Sequence, residues 1–237
     1  ETADSLRKRG EVGVPVERMM RDARINTIFE GSSEIMRLFI AREAVDKHLE
    51  VAGTLIEKDA SLGHKLAALP KIAGFYASWY PTRWLGWGRF PRYSEFGRLA
   101  KHMRFVNRAT RKVAREIFHG MVVYQGKMQG KQGFLFRAVD IGAELFAMSA
   151  TISRATRMEK EGSHSNAVSI ADLFCRNARR RVRQYFRALW HNDDARKYRT
   201  ARDVLDNKYL WLEEGSVGIT PGDDDRSLAP QMMTMEK

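Results

Sequence analysis

The sequence predicts an all-α protein, an antiparallel helical bundle followed by a helical extension domain. Two observations carry this. Runs of alternating apolar and polar residues bounded by turn residues are nearly absent. Apolar residues instead recur at spacings of three and four along almost the whole chain, the period of a helix with one buried face.

The elements follow in order. Glu1 to Gly10 is polar. Pro15 suits the first turn of a helix, where its missing N–H costs nothing, and Val16 to Phe29 follows with Val16, Met19, Met20, Ala23 and Ile28 on one stripe. Glu30-Gly31 interrupts it. Ser32 or Ser33 is the expected N-cap of the next helix, whose apolar face is Ile35, Leu38, Phe39, Ala41, Ala44 and Val45. A helix over Leu62–Ala77 is compatible with the pattern, whereas Pro and Gly at short spacing predict irregular chain from Pro81 to Pro91. From Glu95 to about Gln125, Phe96, Leu99, Met103, Val106, Val113, Ile117 and Val122 keep helical spacing. A glycine-rich turn over Gly126–Gly133 leads to a helix over Phe134–Lys160, with Leu135, Val139, Gly142, Phe146, Met148 and Ile152 inward. Gly162-Ser163 reads as a stop and a new cap. Helices follow over Asn166–Trp190 and Ala195–Trp211, and the tail from Glu213 is polar.

The chain has 237 residues, of which 30% are charged and 43% hydrophobic, a globular composition. It begins at Glu1 rather than Met, so a piece of a longer or processed chain is expected. The N-terminus shows no basic start with an apolar segment behind it, so no signal peptide is expected. No stretch approaches the roughly 18–20 uninterrupted apolar residues of a membrane span. The single cysteine, Cys175, excludes an internal disulfide and points to a reducing compartment and a core position. A net charge of +12 points to an anionic partner: nucleic acid, anionic lipid or a phosphate-rich small molecule. The histidines lie on different segments without metal-ligand spacing, so no metal site is expected, and no Ser-His-Asp or phosphate-loop pattern is present.

The chemistry-bearing stretch is Arg21 to Arg42. Glu30 ends one helix, and Gly31 and two serines open the next. Flanking Ile28, Phe29 and Ile35 would desolvate the carboxylate and raise its pKa, which suits a general base near neutrality. Gly31 permits close approach of a ligand to the backbone, and the helix start after it offers free N–H groups to a pyrophosphate. The same pattern also fits a solvated helix-end carboxylate with Gly31 as its C-cap.

This stretch resembles the C-terminal signature of the acyl-CoA dehydrogenase family. Arg21-Asp22-Ala23, Phe29, Glu30-Gly31-Ser32 and Ala41-Arg42 stand at the matching positions, with Ser32 where threonine is usual. Glu1-Thr2-Ala3 is similar to the residues that directly follow the family's glycine-rich flavin segment. The resemblance implies that Glu30 is the catalytic base removing the pro-R α-proton of an acyl-CoA thioester, that Gly31 lies beside the substrate thioester, and that Ser32, Ser33 and Glu34 contact the adenosine diphosphate part of FAD. It implies hydride transfer to the flavin, the backbone N–H of Glu30 on the thioester carbonyl, and electron-transfer flavoprotein as acceptor.

Beyond this segment the chain resembles the C-terminal extension of the very-long-chain acyl-CoA dehydrogenase subfamily. That likeness implies a helical domain that packs on the main body, supports a homodimer and meets an anionic membrane surface. The expected divisions are residues 1–56, the end of the C-terminal helical domain; 57–97, a linker rich in aromatic and basic residues; 98–212, the extension; and 213–237, a polar tail. Trp79, Trp84 and Trp87, interleaved with Arg83 and Arg89, are candidates for membrane contact, since amphipathic rings settle at headgroup level and each arginine adds about 1 kcal/mol at an anionic surface. Alternatively these aromatics fill a groove between helices. The arginines from Arg176 to Arg187 flank an apolar stripe of Leu173, Val182 and Phe186, which reads as a solvated or lipid-facing side and not a nucleic-acid surface. The expected location is the cytoplasm, peripheral at the inner membrane, or the mitochondrial matrix. The competing expectation is a basic helical module that binds anionic membrane or partner proteins and has no chemistry of its own.

Overall fold

The computed structural model describes residues 2–29, 31–57, 59–88, 90–162 and 166–212, and no strand occurs among the described residues. Eight helices follow in chain order among them: α1 (Ala3–Lys8), α2 (Val16–Arg24), α3 (Ser33–Ile56), α4 (Leu62–Leu85), α5 (Ala100–Tyr124), α6 (Gln132–Lys160), α7 (Ala167–Trp190) and α8 (Asp194–Leu205). Short 3-10 segments stand at Ile25–Thr27, Gly86–Gly88, Ser94–Leu99, Gln125–Gly130 and Leu210–Leu212. Residues 1–191 form one unit and residues 192–237 a second.

The core of the first unit lies where α6 and α7 pair. Along α6, Phe134, Ala138, Ile141, Leu145, Met148, Ile152 and Ala155 are buried. Along α7 the buried row is Val168, Ala171, Cys175, Ala178, Val182 and Leu189. Steps of three and four alternate along α6 and along α7 as far as Val182, with Leu189 one heptad further on, the seam of two supercoiling helices. The pair is antiparallel: Phe134 meets Trp190 edge-on at 5.3 Å, and Arg181 donates to Glu144 near the middle. Alanines and Cys175 along the seam let the backbones approach. Burial pushes the Cys175 thiol up to about 11, so it packs as a small apolar group.

Helix α5 lies against this pair and presents Leu99 from the preceding turn, then His102, Val106, Ala109, Ile117 and Gly120. His102 enters this row at the spacing of an apolar residue. It is fully buried, and its Nε2 meets Asp172 of α7 at 2.9 Å. Asp172 also accepts from Lys101 at 2.7 Å and from Arg176 at 2.6 Å. Val122, Phe146 and Leu173, expected to face inward, are exposed, because the buried rows run one or two positions away from them.

Helices α3 and α4 form a hairpin against α5. Tyr76 and Trp79 of α4 close around the buried His48 of α3 and Phe118 of α5. His48 Nδ1 lies 2.9 Å from the Tyr76 hydroxyl, and Tyr80 reaches His119 at 3.0 Å. This packing explains why α4 continues through Pro70 and Pro81 to Leu85, past the expected end at Ala77. Each proline removes a helical N–H, and the aromatic contacts just before Pro81 hold the backbone in place. Gly86, at φ +62°, then ends the helix in the left-handed conformation and donates its N–H to the Thr82 carbonyl.

The first helices differ from expectation in the other direction. The periodicity predicts one helix over Val16–Phe29, but α2 stops at Arg24 and a 3-10 turn follows. There the Thr27 hydroxyl donates to the Arg24 carbonyl at 2.8 Å and competes with the helical ladder. None of the α2 residues is buried. The stripe Val16, Met19, Met20 and Ile28 faces outward. Glu1 to Gly10, read as merely polar, contains the short α1, capped by Thr2 and with Leu6 buried.

Burial of His48 and His102 has a consequence for stability. Desolvation lowers the pKa of both below the usual 6.5; Arg83 adds to this at His48, while Asp172 opposes it at His102. The unfolded chain therefore takes up protons first as the pH falls. Their contribution is complete above about pH 6.5 and is lost as pH drops through that value towards the folded pKa. Hydrogen bonds from Lys101, Arg176 and His102 hold Asp172 far below the usual carboxylate range, so its contribution persists above 3.8 and is lost only in stronger acid. The urea midpoint is expected to fall between pH 7 and 5, and His48→Phe to flatten that slope. An unchanged slope in the variant would remove His48 as a source.

Candidate functional site

The stretch singled out by sequence lies at the start of α3. Glu30 itself lies outside the described residues. Gly31 has φ +108°, a backbone that L side chains rarely adopt, and a Cβ there would stand 3.2 Å from the Met36 sulfur. Ser32 is the N-cap: its Oγ accepts from the Ile35 N–H at 3.4 Å and its carbonyl from the Met36 N–H at 2.9 Å. Of the two serines expected to cap, Ser32 does so, and Ser33 is the first helical residue. Ser33 and Glu34 occupy the first turn, where amides have no intrahelical acceptor. Around this start Ile28, Phe29, Ile35 and Phe39 are exposed, so the junction sits on an apolar surface.

What this arrangement can do is limited and specific. A left-handed glycine and a capped helix start present backbone N–H groups to a ligand, and the positive end of a 24-residue helix favours a negative one. Arg37, one turn further on, is held away by Asp140 of α6 at 2.9 Å.

The candidates for membrane contact separate. Trp79 packs inward against His48 and Phe118, with the Arg83 guanidinium 5.1 Å over its ring. Trp84 is outward, 55% exposed, with the Arg115 guanidinium 3.4 Å over its ring. The side chain of Trp87, and Arg89, lie outside the described residues. Leu62, Leu66, Leu69 and Leu85 add to the exposed apolar surface of α4. Among the described residues no helix is long and apolar enough to cross a membrane, and no group of three His, Cys, Asp or Glu side chains could hold a metal ion.

Two features escaped the sequence reading. Arg115 is buried in α5 and donates to the Arg83 carbonyl near the end of α4 at 3.2 Å. An apolar groove of about 430 Å³ runs between α3, α5 and α6, lined by Ile40, Ala44, Val113, Val139, Gly142 and Phe146. Small residues at helical spacing on facing helices, Ala41 and Ala44 against Ala138 and Gly142, were its signal.

Two stretches of the chain match known protein families. The model described as "Acyl-CoA dehydrogenase, C-terminal domain" matches residues 8–45, and that described as "ACAD9/ACADV, C-terminal domain" matches residues 97–209. A probable acyl-CoA dehydrogenase, FadE10 of Mycobacterium tuberculosis, is 52% identical over 225 residues, covering 94% of this chain and 35% of the relative. The mitochondrial very long-chain specific acyl-CoA dehydrogenase of Macaca fascicularis is 29% identical, covering 85% of this chain and 30% of the relative. The human enzyme of that name is 28% identical, covering 80% and 30%. The chain thus spans about a third of the length of the curated relatives it matches. The chain belongs to the acyl-CoA dehydrogenase family and corresponds to its C-terminal part, extended as in the very-long-chain subfamily.

Proposed function

We propose that this chain supplies the catalytic base, Glu30, and part of the FAD site of an acyl-CoA dehydrogenase that oxidises long-chain acyl-CoA in fatty acid β-oxidation. The observation that carries the reading is the junction itself: a left-handed Gly31 followed by a serine-capped helix start, within the segment matched to the family. The residues present fit the cofactor. Amides of Ser33 and Glu34, together with the Ser32 hydroxyl, suit the diphosphate of FAD. When bound, FAD supplies the acceptor for the hydride that leaves the β-carbon.

The remaining chemistry belongs to the chain. Glu30 takes the pro-R α-proton of the thioester. Its backbone N–H helps hold the thioester carbonyl, where enolate charge develops as the proton leaves. Gly31, without a side chain, lets the thioester lie against the backbone. In the full-length enzyme, Glu30→Gln should abolish reduction of the flavin by acyl-CoA and leave the flavin bound; unchanged turnover would sink Glu30 as the base.

The outward apolar stripes of α2 and α3 support a larger assembly, since contiguous exposed apolar surface marks a face that other protein covers. The reading therefore includes the rest of the enzyme, a homodimer, and electron-transfer flavoprotein as acceptor. Location follows the family: peripheral at the inner membrane in the cytoplasm, or in the mitochondrial matrix. Because the helix start offers only part of a flavin site, the isolated chain is expected to bind FAD weakly. A purified chain carrying a flavin absorbance spectrum would contradict this.

One observation favours a second reading, in which the chain is a basic helical module on anionic membrane. Leu62, Leu66, Leu69, Trp84 and Leu85 leave α4 with an exposed apolar side in a chain of net charge +12. Vesicle binding that survives Glu30→Gln, in a protein with no dehydrogenase activity to lose, would support it.

A further inference from the structure

We propose that the seam between α5 and α7 binds a phosphate group, held by Arg179 and Arg183. The proposal uses none of the residues assigned to the catalytic base or the flavin site.

Arg176, Arg179 and Arg183 follow one another at steps of three and four on α7, and therefore share a face. Phe105 of α5 stands between the helices. The guanidinium of Arg179 lies 4.8 Å from the centre of its ring and that of Arg183 lies 5.8 Å from it. Both guanidiniums thus lie within 6 Å of the centre of one ring. Arg108, one turn along α5, adds its charge to that of Arg183 on Arg179.

The acidic groups nearby are already used. Asp172 accepts from Lys101, His102 and Arg176. Glu144 is turned to the other side of α7, where Arg181 holds it. Arg180 bonds to Asn177. Among the described residues no carboxylate pairs with Arg108, Arg179 or Arg183. The Nε of Arg179 is buried and has no acceptor.

A like-charged cluster with a buried, unmatched donor is unfavourable twice over: the charges repel, and the donor has lost water without gaining a partner. A bound phosphate removes the first cost, the repulsion among the cations. It carries up to two negative charges and offers several oxygens to the forks of neighbouring guanidiniums, which a single carboxylate cannot span. Lysines in these places would lack the planar fork. The ligand chemistry is a phosphate monoester or diester, with two sources: a soluble phosphorylated molecule or a lipid headgroup.

The test uses the full-length enzyme saturated with FAD, the double variant Arg179→Gln/Arg183→Gln, and a control with equal charge removed elsewhere, Lys127→Gln/Lys131→Gln. Inorganic pyrophosphate is added in a thermal-shift assay. Vesicles of phosphatidylcholine, with or without phosphatidylglycerol, are added in a sedimentation assay. The soluble source predicts that pyrophosphate raises the Tm of the wild type and of the control, and that the double variant needs at least tenfold more for the same rise. The headgroup source predicts no such rise, and instead a tenfold loss of binding to the phosphatidylglycerol vesicles confined to the double variant. Equal responses of wild type and double variant to both probes would overturn the site. So would an equal loss in the control, since that would mean net charge rather than the seam.

Discussion

Glu30→Gln in the full-length enzyme is expected to lower kcat for acyl-CoA oxidation by about 10²–10⁴-fold, the contribution of a positioned general base. That range corresponds to about 3–5 kcal/mol of barrier. Glutamine keeps the length, shape and backbone N–H of the residue and loses only the ability to take a proton. Flavin content and KM should therefore change little, which separates a lost base from a damaged fold. Glu30→Asp should retain part of the activity, because the carboxylate remains and is withdrawn by one methylene. Gly31→Ala provides a contrasting defect: the backbone at φ +108° is strained with any side chain, and the new Cβ would press the Met36 sulfur at 3.2 Å. That variant should lose substrate and flavin binding together with rate. Turnover of Glu30→Gln within about threefold of wild type would place the base elsewhere.

The backbone of this junction was legible because its signals are local. A serine after Glu-Gly and before an apolar helical run marks an N-cap, and Ser32 caps α3. The left-handed backbone at Gly31 follows the same logic. The rows of α5, α6 and α7 were legible in outline, since their buried positions repeat at three and four. Where the reading failed, a nonlocal contact decides the outcome. Pro81 signals a break, yet Tyr76, Trp79 and Tyr80 are anchored by His48, Phe118 and His119, residues far away in sequence, and α4 continues. Val16, Met19 and Met20 have the spacing of a buried stripe, but spacing does not say what covers it. His102 was the reverse case. It is buried in the row of Leu99, Val106 and Ala109, but a polar residue at that spacing gave no sign of burial in the sequence, because its partner Asp172 lies on another helix. The arginines of α7 were read together as a solvated face; the structure divides them by partner, Arg176 to Asp172 and Arg181 to Glu144, leaving Arg179 and Arg183 over Phe105.

Phe134→Ala is expected to lower the stability of the helical unit by about 3–5 kcal/mol, the range for deleting a buried aromatic ring. The ring is 3% exposed and meets Tyr124 edge-on at 5.7 Å and Trp190 at 5.3 Å, where the ends of α5 and α7 meet the start of α6. Its removal opens a cavity at the corner that ties the three helices together. Gly120 is the reason the ring fits: a Cβ there would lie 2.6 Å from its Cζ. In an ordinary helix, Gly→Ala adds about 1 kcal/mol of stability. Here overpacking against a ring wedged by Tyr124 and Trp190 should outweigh that gain, so Gly120→Ala alone is expected to destabilise by about 1–3 kcal/mol. With Phe134 already replaced by Ala, the clash disappears and only the helical gain remains, so the same substitution should then be neutral or stabilising. The two changes are therefore coupled by about 2 kcal/mol, within the range found for residues in contact. Urea midpoints of the wild type, both single variants and the double variant measure this directly. Additive effects would mean that the ring yields to the new methyl group, and that the close approach of α5 to α6 at this corner does not depend on Gly120. Coupling of the expected sign would identify the missing side chain at 120 as the condition for burying Phe134.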